Sequence, residues 1–167
     1  MNRFVIMGVA GSGKSLIGDG LARALGGRYV DGDDLHPASN IAKMSRGEPL
    51  TDDDRWPWLD LVGGALAAPA EGPLLVGCSA LKRAYRDRIR TAVKGPVMFL
   101  HLAGSRALIE SRMSSRKGHF MPTSLLDSQF AALEPPGADE ESVTVNIDQT
   151  PDAIVAELAT RIRAQVG

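Results

Sequence analysis

Short apolar runs alternate along this chain with segments whose apolar positions recur at helical spacing. Phe4-Val5-Ile6-Met7, Arg28-Tyr29-Val30, Pro73–Cys78, Pro96–Leu102 and Val143–Ile147 read as strands. The third is apolar throughout, as a central strand of a parallel sheet should be. After the first strand, Ile17, Leu21, Ala24 and Leu25 stand at i, i+4, i+7 and i+8, one apolar helix face that Gly26-Gly27 brings to an end. Gly18 and Gly20 inside it each cost roughly 1 kcal/mol against alanine, which close packing or tolerated weakness would explain. Asn40–Met44 predicts a short helix ended by Gly47 and Pro49. Thr51-x-x-Asp54 is a capping box opening a helix Arg55–Leu66, so the Asp52-Asp53-Asp54 run is assigned to capping and not to a metal. Trp56, Leu59 and Val62 face inward there. Ser79 is the expected cap of the next helix, with Leu81, Tyr85 and Ile89 as its core stripe and Lys82 and Arg86 on the adjacent face. Ser105 caps a helix with Leu108, Ile109 and Met113, Ser124–Leu133 forms another, and Thr150-Pro151 opens a last one carrying Ile154, Leu158 and Ile162. The β-α order predicts an α/β fold, a five-stranded parallel sheet with helices on both faces.

Composition narrows the partners. The 167 residues suit one domain, 1–167, and 19 basic against 20 acidic residues leave it almost neutral. A general nucleic-acid or membrane-surface role would need excess positive charge, so neither is expected. Cys78 is alone, which excludes an internal disulfide and suits a reducing cytoplasm. It reads as a small core residue, and His101 as a structural residue at a strand end. With the first strand at the N-terminus, neither a signal peptide nor a membrane span is expected.

The chemistry concentrates at strand ends. Gly8-Val9-Ala10-Gly11-Ser12-Gly13-Lys14-Ser15 is G-x-x-x-x-G-K-S between a strand and a helix, the setting that makes a P-loop. Glycines at 8, 11 and 13 let successive N–H groups approach phosphate oxygens, and the dipole of the following helix faces the same anion. Lys14 would reach the β- and γ-phosphates and the Ser15 hydroxyl would ligate Mg²⁺, which predicts a nucleoside triphosphate site. Asp31-Gly32-Asp33-Asp34-Leu35-His36-Pro37 follows the second strand, where open α/β sheets place ligands. Phosphoryl transfer needs one acid toward Mg²⁺ and one to accept the attacking hydroxyl's proton, a pair that Asp31 and Asp33 can supply while Asp34 suits capping. Arg55 fits an anion clamp or an ion pair with the local aspartates equally well. Lys82 and Arg86 suit an anionic substrate. Arg112 and Arg116 lead into Lys117-Gly118-His119-Phe120-Met121-Pro122, a basic, glycine-broken segment that reads as a lid over the transferred phosphate or as a solvated turn.

These stretches, with Asn40–Met44, Gly47–Arg55, Trp58-Leu59, Cys78–Lys82, Tyr85-Arg86-Asp87, Leu125–Phe130 and Leu133-Glu134-Pro135, together resemble the gluconate kinases of the P-loop type over nearly the whole chain. D-G-D-x-L-H-P, C-S-A-L-K and G-H-F-M in this order are the specific part. The resemblance implies a three-layer α/β/α P-loop NTPase fold with a helical lid, related to shikimate and adenylate kinases. It implies ATP and Mg²⁺ as cofactors, transfer to the 6-hydroxyl of D-gluconate, and usually a homodimer. The P-loop then spans 8–15, the substrate region about 31–60 and the lid about 112–134. Lys14, Asp33 and Arg116 become the catalytic residues, with Asp33 the base. Gly8, Gly11, Ser12, Gly13, Lys14, Ser15, Leu16 and Arg112 meet the nucleotide, and Ser15 and Asp31 the metal. Asp33, His36, Arg55, Lys82, Arg86, His119 and Gln129 meet the sugar acid. Leu16 and Ala10 depart from the threonine and serine common in that family, but neither removes a required contact. A shikimate-type kinase and a nucleotide-hydrolysing switch are the rival classes.

Overall fold

The computed structural model describes residues 2–114 and 123–166. Five strands, β1 (Arg3–Met7), β2 (Arg28–Asp31), β3 (Leu74–Gly77), β4 (Met98–Ala103) and β5 (Ser142–Asn146), form one parallel sheet in the order β2-β3-β1-β4-β5. Seven helices connect the described elements: α1 (Lys14–Leu25), α2 (Ala38–Ser45), α3 (Asp52–Ala67), α4 (Arg83–Val93), α5 (Arg106–Ser114), α6 (Thr123–Ala132) and α7 (Pro151–Val166). The sheet alternates as its pleat demands. Phe4 and Ile6 of β1 join the core beneath α1, α5 and α7, whereas Val5 and Met7 join the core beneath α3 and α4. The result is the expected three-layer α/β/α arrangement.

Order reverses at β1, flanked by β3 on one side and β4 on the other, and the loop leaving β1 lies at that switch point. Close approach accounts for both helical glycines, since a Cβ on Gly20 would lie 3.1 Å from Val155 Cγ2. A Cβ on Gly18 would come within 2.2 Å of the Tyr29 ring, so α1 rests directly on β2 through that ring.

Several boundaries move from those expected, for tertiary reasons. The helix read as Arg55–Leu66 begins at Asp52, although its capping box is present as expected, with Asp54 N donating to Thr51 Oγ1 at 3.2 Å and Thr51 N to Asp54 Oδ2 at 2.8 Å. Ser79 does not cap α4. Its carbonyl accepts from Gly8 N at 3.3 Å, and α4 starts four residues later, where Arg83 N donates to Glu134 Oε1 at 2.7 Å. Leu81 therefore lies before the helix, buried in the loop. Cys78 is buried in the core, which pushes its thiol up to about 12, and His101 is buried on β4. No helix among the described residues is long and apolar enough to cross a membrane.

Candidate active site

The loop from Gly8 to Gly13 wraps the N-terminus of α1. Gly11 and Gly13 hold φ of +81° and +93°, backbone that side chains rarely adopt, and a Cβ on Gly11 would strike Met113 Cγ of α5 at 2.7 Å. No side chain caps α1, so its first N–H groups stay turned toward the loop. Inside the loop the Ser12 hydroxyl is buried and has no protein partner. Lys14 Nζ arches back to the carbonyls of Gly8 (3.1 Å) and Val9 (3.2 Å). Burial pulls its ammonium below the ordinary lysine range, against the opposing pull of Asp33 and, more weakly, Asp31. Leu16 stands exposed in the first turn of α1.

Across from this loop, Asp31 ends β2 and caps a single 3-10 turn, Gly32–Leu35, by accepting from Asp33 N at 2.9 Å. Its other oxygen lies 3.5 Å from Ser15 Oγ, and Tyr29 Oη is 3.4 Å from the same hydroxyl. The predicted metal pair, Ser15 and Asp31, is thus brought together. Among the described residues no three His, Cys, Asp or Glu side chains converge. A hydroxyl and one carboxylate beside a phosphate loop suit Mg²⁺, which keeps water and phosphate oxygens as its other ligands. Asp33 itself is exposed at the start of this turn. Partial desolvation and then the negative charge of Asp31 raise its pKa, while Lys14 and His36 oppose the rise.

His36 follows, its ring stacked on Trp58 of α3 at 4.1 Å and 15°. Trp58 Nε1 donates to the Gly32 carbonyl at 2.8 Å, so α3 holds the turn that carries Asp33. Burial lowers the imidazole's pKa, with Asp33 pulling it up and Arg55 down. Those opposed pulls place His36 within electrostatic reach of both.

The cationic end of the cleft is centred on Tyr85. Arg55 and Lys82 lie over its ring at 5.4 and 5.6 Å, and its hydroxyl donates to Asp52 Oδ1 at 2.5 Å. Asp52 also pairs with Arg55 at 3.5 Å and Lys82 at 3.9 Å. The hydrogen bond from Tyr85 chiefly lowers the Asp52 carboxyl's pKa, and the phenol is itself pushed up to about 12. Both readings of Arg55 therefore hold a part: it pairs with a local aspartate while standing beside a second cation.

Arg86, Gln129 and Arg112 are each held by partners within the protein. Arg86 is not on the substrate face. It is fully buried, with its guanidinium forked onto Glu140 at 2.8 and 3.0 Å and donating to the carbonyls of Ala80 (2.9 Å) and Leu81 (3.2 Å). It braces the loop that presents Lys82, in which Ala80 holds φ of +46°. Gln129 of α6 turns to the nucleotide loop, its Oε1 accepting from Ala10 N at 2.6 Å. Arg112 of α5 donates to the carbonyls of Ile147 and Gln149, fastening the loop between β5 and α7. Arg116 and His119 lie outside the described residues. The expectations missed Asp52, Tyr85, Asn40 and Trp58 as members of this cleft. A run of three aspartates where a capping box needs one was the available signal for Asp52.

No family model matches the chain. Its curated relatives do. The thermosensitive gluconokinase of Escherichia coli K12 is 49% identical over 168 residues, spanning 98% of this chain and 86% of that protein. Among solved structures, a gluconokinase from Sinorhizobium meliloti is 45% identical with a TM-score of 0.86, over 99% of this chain and 98% of the other. The shikimate kinase of Aquifex aeolicus, at 13% identity, shares the fold alone, with a TM-score of 0.61 over 98% of each chain. A likeness of this extent, with the P-loop, the aspartate turn and the cationic cleft all in place, puts the chain in the gluconokinase family of P-loop kinases.

Proposed function

We propose that this kinase transfers the γ-phosphoryl group of ATP to the 6-hydroxyl of D-gluconate, giving 6-phospho-D-gluconate and ADP. The reading is supported by two groups of residues linked through His36, which lies within electrostatic reach of Asp33 and Arg55: a phosphate loop with Lys14 and Ser15, and the Arg55–Tyr85–Lys82 cluster. A sugar acid is an anion at one end and a primary alcohol at the other, and the cation pair Arg55 and Lys82 together with the Asp33 carboxylate suits that polarity.

In this reading Gly8, Gly11, Ser12, Gly13, Lys14, Ser15 and Leu16 line the nucleotide, and Arg112 lies toward its base or inner phosphates. Lys14 trades its carbonyl partners for phosphate oxygens and stabilises charge as it shifts to the leaving group. Ser15 and Asp31 would hold Mg²⁺, which when bound neutralises phosphate charge. Asp33 orients the 6-hydroxyl and takes its proton as oxygen bonds to phosphorus and the bond to the leaving ADP oxygen breaks. Arg55 and Lys82 hold the carboxylate, His36 a hydroxyl. Gln129, bonded to the P-loop in this structure, acts through that loop. The resemblance gives Arg116 to the transferred phosphoryl and His119 to the sugar acid, within a lid spanning about 112–134, and adds a homodimer, and the lone cysteine suits the cytoplasm. The relevant assay measures ADP release with MgATP alone, then with D-gluconate, other sugar acids and shikimate. Release dependent on gluconate supports the reading. Shikimate-dependent release, or equal release with no acceptor, would overturn it in favour of a rival class.

A further inference from the structure

We infer that Asn40 is a positioning residue that fixes which nitrogen of His36 carries the proton. The inference rests on the reading of His36 as a hydrogen-bonder to the sugar acid.

Asn40 lies in α2, 2% exposed, and belongs to none of the motifs that identify a phosphate site. Its Nδ2 is 2.9 Å from the Asp54 carbonyl oxygen and 3.2 Å from His36 Nδ1. A backbone carbonyl can only accept, so the amide nitrogen must face Asp54; the reversed amide would set two acceptors against each other. That –NH₂ group has two hydrogens. One goes to the carbonyl, and the other points at His36 Nδ1, which must then accept and carry no proton. In the neutral imidazole the proton stands on Nε2.

Each part of the arrangement is itself held. Asp54 is fixed by the capping box and by Lys43 of α2, whose Nζ lies 2.7 Å from Asp54 Oδ2. The His36 ring lies flat on Trp58, and Trp58 is tied to Gly32. Ring plane and tautomer are therefore both set before substrate arrives, and no ordering of this side chain opposes binding. One chemical consequence separates His36 from its neighbour Asp33. A tautomer protonated at Nε2 and bonded at Nδ1 offers substrate a donor and has no free lone pair, so it cannot accept the hydroxyl proton. The base remains Asp33, and His36 recognises an acceptor oxygen.

Long-range ¹H–¹⁵N correlation on the full chain with ¹⁵N-labelled histidine reads the tautomer directly, on the alkaline side of the imidazole titration. The chain has three histidines, and His36→Gln identifies the resonance by its loss. The expected spectrum shows His36 protonated at Nε2. An Nδ1–H form, or an even mixture, in the wild-type protein would overturn the inference, and this readout needs no variant at position 40. Asn40→Leu removes the donor that keeps Nδ1 unprotonated, so the Nδ1–H form should appear, with a severalfold rise in KM for gluconate and little change in KM for ATP. An unmoved tautomer in folded Asn40→Leu protein also counts against the inference. A moved tautomer with unchanged gluconate KM would uphold the positioning by Asn40 and refute the substrate role of His36.

Discussion

At Asp33 two effects meet, a partial loss of water and the charge of Asp31 beside it. Both raise its pKa, which suits a group that must be ionised to take a proton and willing to hold it afterwards. Asp33→Asn keeps the shape but cannot accept the proton, and kcat is expected to fall on the order of 10²-fold or more with ATP binding retained. Asp34→Asn is the control and should be close to neutral; crippling by Asp34→Asn alone would mean that the base is misassigned. The acid limb of kcat/KM should follow the same carboxyl, activity falling as pH drops through its raised pKa and Asp33 becomes protonated. Steady-state kinetics across pH reads both effects. The cations at the other end predict a different signature. Arg55→Ala or Lys82→Ala should raise KM for gluconate and leave KM for ATP nearly unchanged, because the lost interaction is made to the acceptor alone. Equal damage to both values would make these residues structural.

Elements show where reading a sequence succeeds and where it stops. The five strands, the capping box and the glycine loop follow from local pattern, because periodicity and turn chemistry act over a few residues. Arg86 defeats that reading. Helical spacing sets it four residues from Lys82, yet its partner Glu140 is 54 positions away, and no local rule pairs them. The Ser79 cap fails for the same reason, since Glu134 from beyond α6 satisfies the start of α4. The Arg86–Glu140 pair is buried, and Arg90 adds a second cation at 2.6 Å. Removing one partner from such a pair is costly, so Glu140→Gln is expected to destabilise the fold by about 3 kcal/mol, measured by urea unfolding. Hydrogen bonds from Arg86 lead in depressing the Glu140 carboxyl from 4.5 to about 2. Its stabilisation is then full above pH 4.5 and lost as pH falls through about 2. The variant should lack that part of the acid dependence. If Glu140→Gln unfolds at the same urea concentration as the parent, the bracing role assigned to this pair is wrong.

Over the whole molecule, the parallel sheet converts a linear pattern into a cleft. The loops after β1, β2 and β3 all leave from one edge, so the P-loop, the aspartate turn and the segment before α4 meet although they lie far apart in sequence. The two halves of the candidate site were legible to different degrees for this reason. The phosphate side is contiguous in sequence and announced itself. The side proposed to hold the acid is assembled from α2, α3 and α4, and Asp52, Tyr85 and Asn40 looked like a cap, a core residue and a helix position until the helices were packed. The proposed reaction assigns both halves to one transfer with one regiochemistry. The most direct test is ³¹P NMR of the product formed from D-gluconate and MgATP by the purified protein. The account predicts stoichiometric ADP and a phosphomonoester whose phosphorus couples to the two protons on C6. A phosphoryl group on any other oxygen, or inorganic phosphate in place of a sugar phosphate, would contradict it.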